Sequence, residues 1–328
     1  MTVQQLSTFQ DTDLSDHKKI WATLITNDKY VPGLLTLDYS LKRSKSKYPL
    51  VAMYTEQIDP DSLNAIAQRG IPIHRIHKLK PAKSPELSND PRFNECWSKL
   101  YAFKLTQFER VVEMDSDMVV TQNMDELMDI PLSSGTAFAA APACVCNPFK
   151  LAHYPHDWVP SNCSFTEYEK KKISGINPRD PFWEVMGPSA ELGLKTCNGG
   201  LVVIKPSKTN YQKILETLQN PEKTATYKFT DQELLSDIFE GHWLCLSYVY
   251  NSLKSFTSCH PDIWDLKKIK NIHYILTPKP WQVDPDQYDD TTGTFSLWWS
   301  ANEERKRLEK KTWFERFWIL KEELSFRF

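Results

Sequence analysis

Short apolar runs alternate with segments of helical spacing along the first half of the chain. Ile20–Thr26 is an apolar run that closes on polar Thr26-Asn27-Asp28, which predicts a buried strand followed by a loop. Leu34–Leu41 carries helical spacing, and the basic stretch Lys42–Lys47 follows it, where cations favour a helix C-terminus. Pro49–Thr55 reads as the second strand. Asp61–Arg69 reads as a helix with Asp61 near its cap and Gly70 as its stop, and Ile71–Ile76 as the third strand. Pro81 to Pro91 is proline-rich and polar, hence a loop. Cys96–Phe108 is predicted as one helix whose apolar side holds Trp97, Leu100, Tyr101, the Lys104 stem and Phe108. Arg110–Met114 is the fourth strand and runs into Asp115-Ser116-Asp117; Ala137–Ala141 is another short buried strand. Pro142 to Lys195 is irregular and rich in Pro, Cys, His and Trp, and is taken as an insertion. Beyond it come a strand at Leu201–Ile204, helices at Tyr211–Leu218 and Gln232–Phe239, a last strand at Asn271–Leu276 and a long helix at Leu297–Leu324. Strands alternating with helices predict an α/β fold with a mostly parallel sheet and flanking crossover helices.

Composition narrows this reading without redirecting it. The chain has 328 residues, enough for one large α/β domain with an insertion. Its formal net charge of −2 offers no basic surplus for nucleic acid. No segment approaches the roughly 18 consecutive apolar residues that suggest a membrane span. Residues 1–17 are polar and acidic, without the basic and apolar regions of a signal peptide, and are expected to be a frayed leader. The seven cysteines are an odd number in a long chain, so reduced thiols in the cytoplasm are expected.

Several short motifs carry candidate chemistry. Asp115 and Asp117 stand two residues apart at the carboxyl end of a predicted buried strand, where open α/β sheets bind ligands. Two carboxylates there can converge on one hard divalent ion, although a solvated loop or a helix cap would leave the same pattern. His273 follows another strand-like run, and a neutral imidazole suits manganese; it would equally serve as a satisfied core residue. Lys279, six residues on in a loop stiffened by two prolines, can set an ammonium on a phosphate. Cys197-Asn198-Gly199-Gly200 precedes a strand, and its paired glycines allow close backbone approach to a ligand or an ordinary turn. Asp231-Gln232 opens a helix, as a cap or as a carboxylate and an amide facing a sugar.

The order of these pieces resembles glycosyltransferase family 8, the glycogenin and galactinol synthase group. Leu24-Ile25-Thr26-Asn27-Asp28-Lys29-Tyr30 resembles the family's first strand and loop, Lys99 its donor-binding lysine, and Asp115-Ser116-Asp117 its metal motif. Asn123–Leu127 resembles the segment that trails that motif, Cys197–Gly200 the sugar-contacting turn, Asp231-Gln232 the pair near the reacting carbon, and His273 with Lys279-Pro280-Trp281 the closing loop. Pro49–Met53, the cysteine-bearing insertion, Ala190–Gly193, Val249-Tyr250-Asn251 and Trp298-Trp299 look closer to galactinol synthase than to glycogenin. Two positions depart from the pattern. Leu276 stands where the family commonly has a glycine, and Lys228-Phe229 occupy a stretch where glycogenin carries a second acid.

The resemblance implies a Rossmann-like glycosyltransferase A-type fold and a retaining transfer of galactose or glucose from a UDP-sugar to a small hydroxyl acceptor such as a polyol. It implies Leu24, Thr26, Asn27, Tyr30 and Ser116 on the donor, Mn²⁺ (Mg²⁺ as the alternative) on Asp115, Asp117 and His273, and Lys99 and Lys279 against phosphate charge. Asn198, Gly199, Gly200, Asp231 and Gln232 would surround the hexose. The expected layout is a leader at 1–19, a transferase domain at 20–295 with its insertion at about 142–195, and a helical extension at 296–328. The rival readings are a glycogenin-like self-glucosylating primer and a non-catalytic UDP-sugar-binding protein.

Two side features remain. Cys144, Cys146, His153, His156 and Cys163 cluster in the insertion, but their Cys-x-Cys and His-x-x-His spacings are not those of common zinc fingers, so ordinary reduced residues are expected. The C-terminal helix carries Trp298, Trp299, Trp313, Phe314, Phe317 and Trp318. Acidic residues interrupt its basic run, so the aromatics are expected to pack on the domain or on a second subunit rather than on a membrane.

Overall fold

The computed structural model describes residues 12–83, 93–166 and 185–325, with only the backbone described at residues 190 and 313–325. In chain order the first half comprises β1 (Lys19–Ile25), α1 (Val31–Arg43), β2 (Leu50–Tyr54), α2 (Pro60–Ala67), β3 (Ile73–Arg75), α3 (Phe93–Cys96), β4 (Arg110–Met114), β5 (Met118–Val120) and β6 (Phe138–Pro142). The second half comprises β7 (Cys197–Ile204), α4 (Lys208–Leu218), α5 (Pro221–Thr224), α6 (Thr230–Ile238), β8 (Trp243–Cys245), β9 (Ser252–Leu253), α7 (Phe256–Cys259), β10 (Asn271–His273) and α8 (Thr294–Ser325).

The main sheet has seven strands in the order β3-β2-β1-β4-β7-β6-β8, and β5, β10 and β9 form a second sheet of three. Within the large sheet β7 alone runs against both its neighbours; the other pairings are parallel. The sheet is buried on both faces, as parallel sheets require. Along β1, Ile20 and Ala22 enter the core shared with Trp97, Phe103, Leu234 and Leu235, while Trp21 enters the opposite core shared with Leu37 and Leu41 of α1. The period-2 alternation of a strand sends these neighbours to opposite faces. A third core beneath the small sheet joins Ile272, Tyr274, Phe295 and Trp298.

The structure shifts several sequence expectations. The segment read as one helix, Cys96–Phe108, is α3 followed by a 3-10 stretch at Trp97–Lys104. Every side chain from Trp97 to Phe103 is buried, so no polar face imposes the 3.6-residue period. Asp59, not Asp61, caps α2, accepting the Asp61 backbone N–H at 2.8 Å. The turn read at 197–200 is the first half of β7, and the last strand stops at His273, three residues before Leu276 with its φ of 61°. Strands β5, β8 and β9 are two or three residues long, too short to show a period. Residues 84–91 of the predicted loop, 167–184 of the insertion and 1–11 of the leader lie outside the described residues.

The start of α8 packs back on the domain. Trp298 is 1% exposed with its ring 5.5 Å from that of Trp281, and Trp299 donates its indole N–H to the Pro280 carbonyl at 2.8 Å. The side chains of Trp313, Phe314, Phe317 and Trp318 lie outside the described residues. Among the described residues no helix is long and apolar enough to cross a membrane. Trp298→Ala is expected to lower the unfolding free energy by about 3–5 kcal/mol through loss of a large buried ring. A fall in the urea midpoint at unchanged slope is the corresponding observation.

Candidate active site

A cavity of about 450 Å³ opens where the parallel strands end, within the size range of small-molecule sites. Strand direction explains which residues reach it. β1 and β4 deliver the residues at and just beyond their carboxyl ends, Leu24 to Asn27 and Asp115 to Asp117. Reversed β7 delivers its own beginning, Asn198 to Gly200, to the same edge. One backbone bond records the junction: Asp115 N donates to Gly200 O at 2.8 Å. Strand β10 brings His273 across from the small sheet, and Tyr274 N donates to Asp117 O at 2.9 Å.

Three candidate ligand atoms converge. His273 Nε2 lies 3.5 Å from Asp115 Oδ2 and 3.2 Å from Asp117 Oδ1. The other carboxylate oxygens face lysines: Asp115 Oδ1 is 2.7 Å from Lys99 Nζ, and Asp117 Oδ2 accepts from Lys279 Nζ. Hydrogen bonds set the imidazole tautomer. Gly200 N–H can only donate, so the Asn198 atom 2.9 Å away is Oδ1. That oxygen also accepts from Asn251 Nδ2 at 2.8 Å, which turns Asn251 Oδ1 toward His273 Nδ1, 2.9 Å away. Nδ1 therefore carries the proton, and the Nε2 lone pair is left aimed at the carboxylates. Two carboxylate oxygens and one imidazole nitrogen, mutually close, form a donor set that fits Mn²⁺ or Mg²⁺.

The charges around this set are mostly buried. Lys99 Nζ lies 3.6 Å from Asp231 Oδ2 and 3.9 Å from Glu113 Oε2, and it donates to Gly199 O at 2.5 Å. Burial opposes the Lys99 charge, but Asp115, Glu113 and Asp231 outweigh it and hold its pKa well above the ordinary lysine range. Burial pushes Glu113 well up and Asp231 up, each partly offset by Lys99. Burial also opposes the charge of Asp117, yet Lys279 and His273 hold that carboxyl far below the usual range. Lys279 is 2% exposed and is steadied by the Tyr274 carbonyl at 2.7 Å.

The paired glycines are required by contact. A Cβ on Gly200 would come within 2.4 Å of the His273 ring, and one on Gly199 within 2.5 Å of Asp231 Oδ2. Thr230 takes a φ of 34°, a costly conformation for a β-branched residue, and its hydroxyl donates to Asp231 Oδ1 at 3.0 Å. Gln232 Oε1 accepts from Gly199 N at 3.3 Å. Leu24, Thr26, Asn27, Tyr30 and Ser116 line the cavity; Asn27 caps the turn at Asp28–Tyr30, and Tyr30 meets the Trp281 ring edge-on at 5.5 Å. Leu276 keeps a left-handed backbone at the position where the resemblance calls for glycine.

Other residues of the site carried no role in the sequence reading. Glu113 had one legible sign, an acid inside an otherwise apolar strand run. Asn251 stood only within the galactinol-synthase-like segment Val249-Tyr250-Asn251, without a role, because its partners Asn198 and His273 come from distant parts of the chain. Phe229 stacks on Trp158 at 4.3 Å and meets Phe93 and Tyr154 edge-on, so the insertion supplies an aromatic wall.

Residues 22–284 match the family model described as glycosyl transferase family 8. The chain belongs to this family. Within glycosyl transferase family 8 it is similar to galactinol synthase 3 of Arabidopsis thaliana, at 26% identity over 87% of this chain and 81% of that protein. Galactinol synthase 1 of Ajuga reptans is 26% identical over the same shares. The solved galactosyltransferase LgtC, captured with donor and acceptor sugar analogues, aligns with a TM-score of 0.57 at 14% identity, covering 87% of this chain and 96% of that one. This last likeness bears on the fold, which is of the glycosyltransferase A type. The chain is thus a glycosyltransferase of family 8.

Asn251→Ala should free the His273 ring and leave Asn198 Oδ1 with one donor fewer. Mn²⁺ affinity is expected to fall about 10–100-fold, as read by titration calorimetry on a variant with wild-type circular dichroism.

Proposed function

We propose that the chain is a retaining hexosyltransferase, dependent on Mn²⁺ or Mg²⁺, that moves galactose or glucose from a UDP-sugar to a small polyol. The observation that carries this reading is the convergence of Asp115 Oδ2, Asp117 Oδ1 and His273 Nε2, with Lys99 and Lys279 on the outward carboxylate oxygens. When bound there, the divalent ion would neutralise charge on the diphosphate leaving group.

The chain's own groups would do the rest. Leu24, Thr26, Asn27 and Tyr30, at the end of β1, would hold the nucleoside. Lys279 and Lys99 would offset negative charge on the departing phosphate. Gly199 and Gly200 would let backbone approach the hexose, with Asn198, Asp231 and Gln232 around its hydroxyls. The bond from the anomeric carbon to the diphosphate breaks with its electron pair going to UDP. The acceptor oxygen bonds to the same face, and its proton passes to the departing phosphate oxygen. Asp231 is buried with its pKa raised and is engaged by Thr230, which suits a group that orients and stabilises more than one that attacks.

The similarity to galactinol synthases and the aromatic wall together support a small acceptor with apolar C–H faces and hydroxyl edges, such as an inositol. UDP release from UDP-galactose or UDP-glucose should require the divalent ion and rise when myo-inositol is added. Failure of every UDP-sugar to release UDP while still binding would replace this reading with that of a binding protein. Asp117→Asn is expected to lower turnover by several orders of magnitude, since it removes charge from the ion site and from the partner of Lys279. Near-normal turnover in the folded variant would refute the assignment.

A further inference from the structure

A second group of metal-ligating side chains lies outside the site just described. Cys144 and Cys146 follow β6, Cys163 ends the short turn at Pro160–Asn162, and His260 comes directly after α7. Their Sγ atoms and an imidazole nitrogen all lie within 4.8 Å of one another. His260 Nε2 is 3.4 Å from Cys144 Sγ, 3.4 Å from Cys146 Sγ and 3.5 Å from Cys163 Sγ. His260 and Cys163 are fully buried and Cys146 is 8% exposed.

We propose that Cys144, Cys146, Cys163 and His260 form a structural zinc site that staples the insertion to the segment after α7. The distances carry it. A tetrahedral zinc with Zn–S of about 2.3 Å and Zn–N of about 2.0–2.1 Å has N-to-S edges of about 3.6 Å. The three observed edges, 3.4 to 3.5 Å, nearly match that tetrahedron and agree with one another. A disulfide would need only two of the thiols and no imidazole. A catalytic thiol–imidazole pair would need one thiol and access to substrate, whereas His260 is enclosed between the Phe256 ring at 4.9 Å and the Phe165 ring at 5.6 Å. Three soft sulfurs with one nitrogen, all but Cys144 buried, is the chemistry of a structural zinc rather than of the hard ion suited to Asp115 and Asp117.

The four residues differ from the Cys/His cluster noted in the sequence, where ordinary reduced residues were expected. His153 and His156 take no part: His153 packs edge-on against Tyr154, and the imidazole comes from beyond the insertion. Cys259, beside His260, lies within hydrogen-bond reach of Cys144 and Cys146 and is the one alternative fourth ligand. The staple joins segments more than 100 residues apart, Cys144 to His260 and Cys146 to His260. It also anchors the stretch that supplies Cys144, Asn147, Phe149, Tyr154 and Trp158 to the cavity. An ion there would hold that wall in place by coordination, in a segment with little regular structure of its own.

The test is metal analysis of the full chain, purified without chelator and stripped of loosely bound ions. Wild type and the Asp115→Asn/Asp117→Asn double variant should both retain about one zinc per chain, and Cys163→Ser and His260→Ala should lose it. X-ray absorption at the zinc edge of the wild type, which needs no variant to fold, should show three sulfur neighbours and one nitrogen. Cobalt substitution should give thiolate-to-metal charge-transfer bands. Cys259→Ser should leave zinc content unchanged. The proposal falls if the wild type neither holds zinc nor takes up cobalt, or if the metal shell contains no sulfur. It falls equally if zinc leaves with the aspartate pair, or if Cys259→Ser loses zinc while His260→Ala keeps it.

Discussion

Carboxylates crowded at the edge of an apolar sheet are the constraint on which the rest of the structure turns. Glu113, Asp115 and Asp231 surround one lysine, Lys99, and Asp117 holds a second, Lys279. Charges removed from water are costly unless they are paired and hydrogen-bonded. The fold meets that condition by burying both ammonium groups among the acids, and burial further pushes Glu113 toward its neutral form. The carboxylates still outnumber the lysines, which leaves room for the charge of a divalent ion.

Much of the surrounding architecture is needed to keep that cluster in shape. The reversed strand β7 sets Gly199 and Gly200 against Asp231 and His273 at distances no larger residue would allow. A line of hydrogen bonds from Gly200 through Asn198 and Asn251 fixes which nitrogen of His273 is free. Strain at Thr230 accompanies the placement of Asp231, as strained backbone often does at functional sites. At Leu276 the side chain departs from the family's pattern but the left-handed backbone is present, so the closing loop reaches Lys279 with the required turn.

The outer wall follows a different logic. Where the resemblance to glycogenin calls for a second acid, Phe229 packs with Trp158, Tyr154 and Phe93. Residues 143–158, which contribute Tyr154 and Trp158 to the wall, form no helix or strand, and the thiol–imidazole cluster lies beside them.

The residues alone determined the α/β class, the main strands β1, β2 and β4, and the identity of the chemical groups at the cavity. Those features are local: a buried strand shows as an apolar run, and Asp115-Ser116-Asp117 or Gly199-Gly200 stands out by type and neighbourhood. Tertiary structure decided what depends on segments far apart in the chain. The antiparallel course of β7 brings its first residues to Asp115, and pairing across strands gives Asn251 its place beside His273. It also selects His260, about a hundred residues beyond Cys163, over the nearer His153 and His156. No periodicity or spacing encodes such meetings, because they arise from how whole elements pack and not from the order of residues within any one of them.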